Sequence, residues 1–236
     1  MKAVILASGA ATRLRPLTDN VPKCLIEVNG DTILGRMLRG LERNGVKDIL
    51  ITTGHMGDAV REYVKSNFPG LNVEYVHNPM FGDTNYIYSM WLAKDKVTDD
   101  DILLLHGDLV FDETLLERAV NVTGSMVLVN KSVPPPEKDF KGLVVDGHVK
   151  NVGVNVFGDG AFFLAPMYRL SKEAFKVWMS EINRFVGNGK VKCYAEDAFN
   201  NVSHIIKVAP LYYTEFCMEI DTPEDLEKAK KAPEMA

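Results

Sequence analysis

Residues 3–7 form an unbroken apolar run, Ala3-Val4-Ile5-Leu6-Ala7, that gives way at once to Ser8-Gly9-Ala10-Ala11. A short apolar stretch with branched side chains, closed by small residues, predicts a strand buried on both faces. The period then changes. After the turn Asn29-Gly30-Asp31-Thr32, which ends in a helix cap, Ile33, Leu34, Met37, Leu38 and Leu41 recur at helical spacing until Asn44-Gly45 stops them. Residues 46–53 predict a second strand and residues 54–58 another small-residue turn. The helix that follows runs to about Phe68, where Pro69-Gly70 breaks it, and residues 73–77 predict a third strand.

Strands alternating with helices in this way imply right-handed βαβ units and an α/β fold, a doubly wound, mostly parallel, Rossmann-like sheet. Ligands of such sheets lie beyond the carboxyl ends of the strands, so the turns after Ala7, Thr53 and Asn78 are expected to share one crevice. Further along, a helix is predicted to start near Thr84 or Asn85, a central strand spans 102–105, and another spans 125–130. Pro134-Pro135-Pro136 predicts a stiff exposed loop. Residues 142–145 and 148–152, joined by Asp146-Gly147, spell a β-hairpin with a type I′ turn. This inserted β-hairpin breaks the rhythm and is the expected acceptor-binding subregion. Residues 161–164 predict extended chain, with Pro166 ahead of a helix over 171–184; a helix begins at 194–201, and late strands are expected at 205–208 and 216–220. Thr222, Pro223 and Asp225 form a helix-capping box. The whole, 1–236, is expected to be one domain.

Composition narrows the function. With 236 residues, 46% of them hydrophobic, 25% charged and a net charge of −5, the chain is an ordinary globular one without the basic excess that nucleic-acid binding wants. Cys24, Cys193 and Cys217 are scattered, without metal-ligand spacing, and read as reduced thiols. Apolar runs fall well short of the roughly 20 residues that span a bilayer. The expectation is a cytoplasmic protein, monomer or homodimer, with no nucleic acid and no membrane partner.

Candidate chemistry clusters at the tips of the predicted strands. A small-residue turn after a parallel strand leaves amide N–H groups free to cradle phosphate, and Arg13, Arg15 and Lys23 follow within reach; the competing reading is a tight turn with solvated basic residues. Asp108 closes the central strand after Gly107, which clears space for a metal ion. Asp221 closes a late strand, and because Thr222 and Asp225 already cap the next helix, it is free to be a second metal ligand. Gly82, Thr84 and Asn85 are candidate nucleotide contacts, whereas Tyr86, Met90 and Trp91 fit a helix's core face. Glu196 and Asp197 either favour a helix dipole or grip an ammonium group.

The run Leu6-Ala7-Ser8-Gly9-Ala10-Ala11-Thr12-Arg13-Leu14-Arg15-Pro16-Leu17-Thr18, with Pro22-Lys23 after it, resembles the signature of the nucleotidyltransferases that condense a nucleoside triphosphate with a phosphorylated small molecule. It departs at Ser8 and at Ala11, where the family has its second glycine; Ala11 therefore predicts a loop without a positive φ there. The resemblance implies nucleotide binding by Leu6, Ala7, Ser8, Gly9, Ala10, Thr12, Arg13, Gly82, Thr84, Asn85 and Gly107, and Mg²⁺ held by Asp108 and Asp221. It further implies attack of an acceptor phosphate or phosphonate oxygen on the α-phosphorus, with pyrophosphate leaving. A phosphate monoester, with a second pKa near ~6, needs no general base for this. Arg13 would serve the β- and γ-phosphates, and Lys23 the α-phosphate and the acceptor, as catalytic residues beside Asp108 and Asp221. Residues 85–89 and Tyr194-x-Glu196-Asp197 resemble the small cytidylyltransferases, which implies CTP and a small phosphorylated, amine-bearing acceptor. Ala195 stands where the phosphocholine enzymes have tryptophan, which disfavours choline; Lys23, Asp146, Tyr194, Glu196 and Asp197 are the implied acceptor contacts. A hexose-1-phosphate uridylyl- or thymidylyltransferase and a non-catalytic nucleotide-binding regulator are the alternatives.

Overall fold

The computed structural model describes residues 1–97, 99–134 and 137–232. In chain order the strands are β1 (Lys2–Ala7), β2 (Glu27–Val28), β3 (Asp31–Thr32), β4 (Asp48–Thr53), β5 (Asn72–His77), β6 (Ile102–His106), β7 (Leu109–Phe111), β8 (Ser125–Asn130), β9 (Lys141–Val145), β10 (His148–Gly153), β11 (Ala161–Leu170), β12 (Val208–Tyr213) and β13 (Cys217–Glu219). The helices are α1 (Ile33–Arg43), α2 (Gly57–Asn67), α3 (Tyr86–Leu92), α4 (Glu113–Asn121), α5 (Lys172–Gly187), α6 (Ala195–Val202) and α7 (Pro223–Lys230).

The main sheet has the order β10-β9-β11-β6-β1-β4-β5, and β8 pairs with both β11 and β12. Its centre, β6-β1-β4-β5, is parallel throughout, as the βαβ rhythm requires. Successive residues of a strand point to opposite faces, and here each face meets its own helical layer. Ala3 and Ile5 pack in one core with Ile33, Leu34 and Leu38 of α1. Val4 and Leu6 pack in the other with Tyr168, Trp178 and Phe199. β1 is thus buried on both sides, which is why its sequence reads as a continuous apolar run rather than an alternation.

Local signals act where the sequence placed them. Thr32 caps α1 by accepting from the Gly35 amide, and Asn44 ends it. Thr222 and Asp225 close a reciprocal capping box on α7 with Pro223 in its first turn. Asp146 at φ 50° and Gly147 at φ 73° make the tight turn between β9 and β10. That hairpin extends the main sheet through the β9–β11 pairing.

Three expectations are corrected. Ala11 sits in the left-handed region at φ 49°, although it carries a Cβ; the loop is held there by the Thr18 hydroxyl, which donates to the Ala11 carbonyl at 2.9 Å. The strand predicted to end at Leu164 continues through Pro166 to Leu170. Its register against β8 shifts between Ala165 and Tyr168, and that irregularity spares the proline, which has no N–H, from a ladder position. The first late strand runs over Val208–Tyr213 rather than 205–208, parallel to β8. Pro134 is exposed as expected; Pro135 and Pro136 lie outside the described residues.

Gly54, just past β4, shows how closely the strand tips approach. A Cβ there would lie 2.2 Å from the Ser8 carbonyl oxygen and 2.6 Å from Cβ of Phe81. Gly54→Ala is therefore expected to destabilise the fold by about 1–3 kcal/mol through overpacking, and to displace the loop after β1. A thermal melt checks this, and an unchanged melting temperature would refute it.

Candidate active site

Two distant segments meet at the tip of β6. β7 pairs antiparallel with β13, Leu109 opposite Glu219 and Phe111 opposite Cys217, and the Ile220 amide donates to the Asp108 carbonyl at 3.0 Å. Asp108 and Asp221 are thereby brought side by side. Gly107 permits the approach of β1, since a Cβ on it would sit 2.9 Å from the Leu6 carbonyl oxygen. The Lys23 ammonium, from a single helical turn over Lys23–Leu25, donates at 2.6 Å to Asp108 Oδ2 and at 2.6 Å to Asp221 Oδ1. Arg13, from the turn Thr12–Leu14, reaches Asp221 Oδ1 at 2.9 Å and is otherwise exposed.

This cluster forms the floor of a cleft of about 420 Å³ whose walls include Leu6, Ala7, Gly9, Ala10, Thr12, Asn85, Tyr86, His106, Gly107, Lys138, Asp139, Phe140, Tyr194 and Glu219. A contiguous recess of about 300 Å³ adds Ser8, Asn78, Phe81, Thr84 and Ser89. Its polar floor is knitted together: the Ser8 and Ser89 hydroxyls lie 2.6 Å apart, and the Asn78 amide donates to Ser89 and to Thr84. Tyr86 lines both spaces, with its ring edge-on to His106 at 4.7 Å and tilted to Tyr194 at 6.0 Å. Tyr194 in turn packs edge-on to Phe140 at 5.0 Å.

Charge is concentrated here. Burial alone would drive the Lys23 ammonium toward neutrality, but Asp108 and Asp221 outweigh it and hold its pKa above the ordinary value. Burial likewise opposes the Asp108 carboxylate, and Lys23 and His106 overcome it and keep its pKa low. Glu219 goes the other way: burial, and the charges of Asp108 and Asp221, push its pKa up against the pull of His106. By linkage, a lowered carboxylate contributes stability above its unfolded value of 3.8 and loses it as pH falls. A raised lysine contributes below 10.5 and loses it as pH rises. The ion cluster is thus intact across the neutral range.

The donor set fits a divalent cation. Asp108 Oδ1 and His106 Nε2 are buried without a hydrogen-bond partner, and His106, Asp108 and Glu219 offer ligand atoms within 4.8 Å of one another. Asp108 Oδ2 and Asp221 Oδ1 both converge on the same lysine nitrogen. Carboxylate oxygens with room for phosphate oxygens suit a hard, octahedral ion.

Residues 2–144 match the family model described as Nucleotidyl transferase. The chain belongs to the nucleotidyl transferase family. A CMP-5′-(3-aminopropyl)phosphonate synthase of Streptomyces rubellomurinus is 30% identical over 97% of this chain and 38% of its own length. A bifunctional IPC transferase and DIPP synthase of Aquifex aeolicus is also 30% identical, over 97% of this chain and 51% of its own length. The chain thus spans about half, or less, of the length of these curated relatives. Among solved structures, the CTP:phosphocholine cytidylyltransferase from Streptococcus pneumoniae superposes with a TM-score of 0.82 at 23% identity, covering 98% of this chain and 97% of that one; at that identity the likeness establishes the fold.

In this nucleotidyl transferase, Arg13, Lys23, Asp108 and Asp221 come together, and the loop after β1, Asn85 and Tyr194 line the same cleft. Gly82, Asp146, Glu196 and Asp197 line neither space. Asp146 sits in the hairpin turn, where its carbonyl pairs with His148. Asp197 accepts from the Tyr194 amide and caps α6, so its carboxylate is taken up by the helix end. Glu196 is only 1% exposed, its two oxygens accepting from the hydroxyls of Tyr86 and Tyr168. His106, Asp139, Phe140 and Glu219 are cleft residues that the sequence reading passed over, and Tyr86, read there as part of a helix's core face, lines the cleft as well. For His106 and Glu219 a signal existed, since each stands two residues before a recognised aspartate, at the strand spacing that places side chains on one face. Asp139 and Phe140 come from an irregular loop, where no period points anywhere.

Proposed function

We propose that this chain transfers CMP from CTP to a small phosphorylated or phosphonate acceptor bearing a primary ammonium group, releasing pyrophosphate. The observation that carries the reading is the pair Asp108 and Asp221 at two strand tips, sharing Lys23, in a cleft that Tyr86, Phe140 and Tyr194 also line. The amides of the loop after β1 and the Arg13 guanidinium receive the triphosphate's outer charge. The base occupies the recess floored by Ser8, Asn78, Thr84 and Ser89. Lys23, beside both carboxylates, neutralises the oxygens of the α-phosphate and of the incoming acceptor, so two polyanions approach with their repulsion quenched and their oxygens aligned. Asp108 and Asp221 would hold Mg²⁺, which would supply Lewis-acid charge neutralisation. The acceptor's cationic end lies against the aromatic cluster of Tyr86, Phe140 and Tyr194, a setting that favours an ammonium over a sugar ring.

The relative named for aminopropylphosphonate chemistry matches over 97% of this chain, which supports an amine-bearing acceptor, whereas one named for UTP and glucose-1-phosphate matches over 49%. The test is a grid of CTP, UTP, dTTP and ATP against 2-aminoethylphosphonate, phosphoethanolamine, phosphocholine and glucose-1-phosphate, with Mg²⁺ and pyrophosphate release as readout. Release is expected with CTP and the primary amines. Release with UTP or dTTP and glucose-1-phosphate, and none with any amine, would reject the proposal.

A further inference from the structure

Glu196 is a buried carboxylate that makes no ion pair among the described residues; His106 feels its charge. It stands in the first turn of α6, 1% exposed, and both its oxygens are satisfied by phenols, Tyr86 donating to Oε2 and Tyr168 to Oε1, the latter at 3.0 Å. Tyr168 is itself immobilised: it is fully buried and lies edge-on to Trp178 at 5.5 Å. The Trp178 indole N–H donates to the Ala195 carbonyl at 2.9 Å, locking it to the residue before Glu196. Of these groups Tyr86 alone reaches the cleft. Burial, and then the Glu196 charge, push the pKa of both phenols up, so both remain donors at neutral pH.

We infer that Glu196 is a positioning residue that gives the cleft its preference for a cationic acceptor by acting through the ring of Tyr86, without touching the acceptor. The inference rests on the amine-acceptor reading above. A phenol that donates to a carboxylate carries extra electron density in its ring, and the ring face is what attracts a cation. In a site shielded from water this polarisation is stronger than in solution. The hydrogen bond also fixes the ring plane against His106 and Tyr194. The arrangement presents negative potential to an ammonium through the Tyr86 ring, while Glu196 itself lines neither the cleft nor the recess beside it. It accounts for a buried acid whose two oxygens are taken by phenols, and it reassigns the residue that the sequence read as a direct counter-charge.

A merely structural role, tying α3, α6 and β11 together, predicts a different outcome from Glu196→Gln. Steady-state kinetics with two acceptors of equal shape separate them: 2-aminoethylphosphonate, and propylphosphonate, in which a methyl replaces the ammonium. Glu196→Gln is expected to cut the ratio of kcat/KM for the amine over that for the neutral acceptor by about tenfold, through the KM of the amine, as weakening a desolvated cation–π contact would. Tyr86→Phe, which keeps the ring but severs it from Glu196, is expected to lower the ratio alike, and the double variant to add nothing. A wild-type preference for the amine that survives in Glu196→Gln, with both acceptors losing equally, overturns this inference alone. A wild-type enzyme with no preference for the amine overturns it together with the amine-acceptor reading. If Glu196→Gln does not fold, by circular dichroism, the ratio measured in Tyr86→Phe decides.

Discussion

Asp108→Asn is expected to lower kcat for the proposed cytidylyl transfer by roughly a thousandfold, in the range seen when one preorganised electrostatic group is removed from a reaction centre. The same substitution is expected to lower the melting temperature, because, against the opposing effect of burial, Lys23 and His106 hold the Asp108 carboxyl below its usual pKa and its charge therefore contributes stability at neutral pH. The amide keeps the volume but gives up the charge-assisted contact with Lys23 at 2.6 Å, and Asp221 remains as the counter-ion of that lysine, so the loss of stability is expected to be smaller than the loss of activity. A pyrophosphate-release assay and a thermal melt on the same preparation check it. Activity within about tenfold of wild type would remove Asp108 from the reaction centre, since the loss of such a group costs far more.

Lys23→Met is expected to be damaging on both counts. Its ammonium lies 2.6 Å from each of two carboxylates, with a side chain only 16% exposed. Methionine fills the space but leaves Asp108 and Asp221 facing each other, with Arg13 on Asp221 alone. Breaking a largely buried ion pair from one side costs about 3–5 kcal/mol, and the lower end applies because all three side chains keep some contact with water. Activity is expected to fall by at least about a hundredfold, through loss of charge neutralisation at the reacting phosphates. Denaturant titration gives the stability loss and single-turnover kinetics the catalytic one. Lys23→Met is expected to cost more stability than Asp108→Asn, because it strips the counter-ion from two carboxylates, whereas Asp108→Asn leaves Lys23 paired with Asp221.

Strand tips were the most legible part of the site. Asp108 follows a glycine at the end of an apolar run, and Asp221 precedes a helix that already has its cap, so residue order alone frees both carboxylates. Glu196 illustrates the limit. Two adjacent acids open α6, and which one caps and which turns inward is decided by partners 28 and 110 residues away, Tyr168 and Tyr86. No local pattern carries that information. Ala11 misled for a related reason: intrinsic preference argues against the left-handed region for alanine, yet a hydroxyl seven residues later holds the loop in place. Pro166 misled because a register shift, a property of the pairing and not of the strand, creates the position that tolerates it. The fold class was readable because burial of β1 on both faces leaves a continuous apolar run, a signal that needs no partner to interpret.

The stitch between β7 and β13 has a consequence for how the molecule comes into being. The contact of Lys23 with Asp221 spans 198 residues, so as the chain leaves the ribosome the first βαβ units and the tip of β6 emerge well before their last carboxylate exists. Until residues 217–221 dock, Lys23 has Asp108 as its counter-ion and Arg13 lacks Asp221. The cluster around Lys23 is therefore completed only once residues 217–221 are in place, well after the loop following β1 has taken shape.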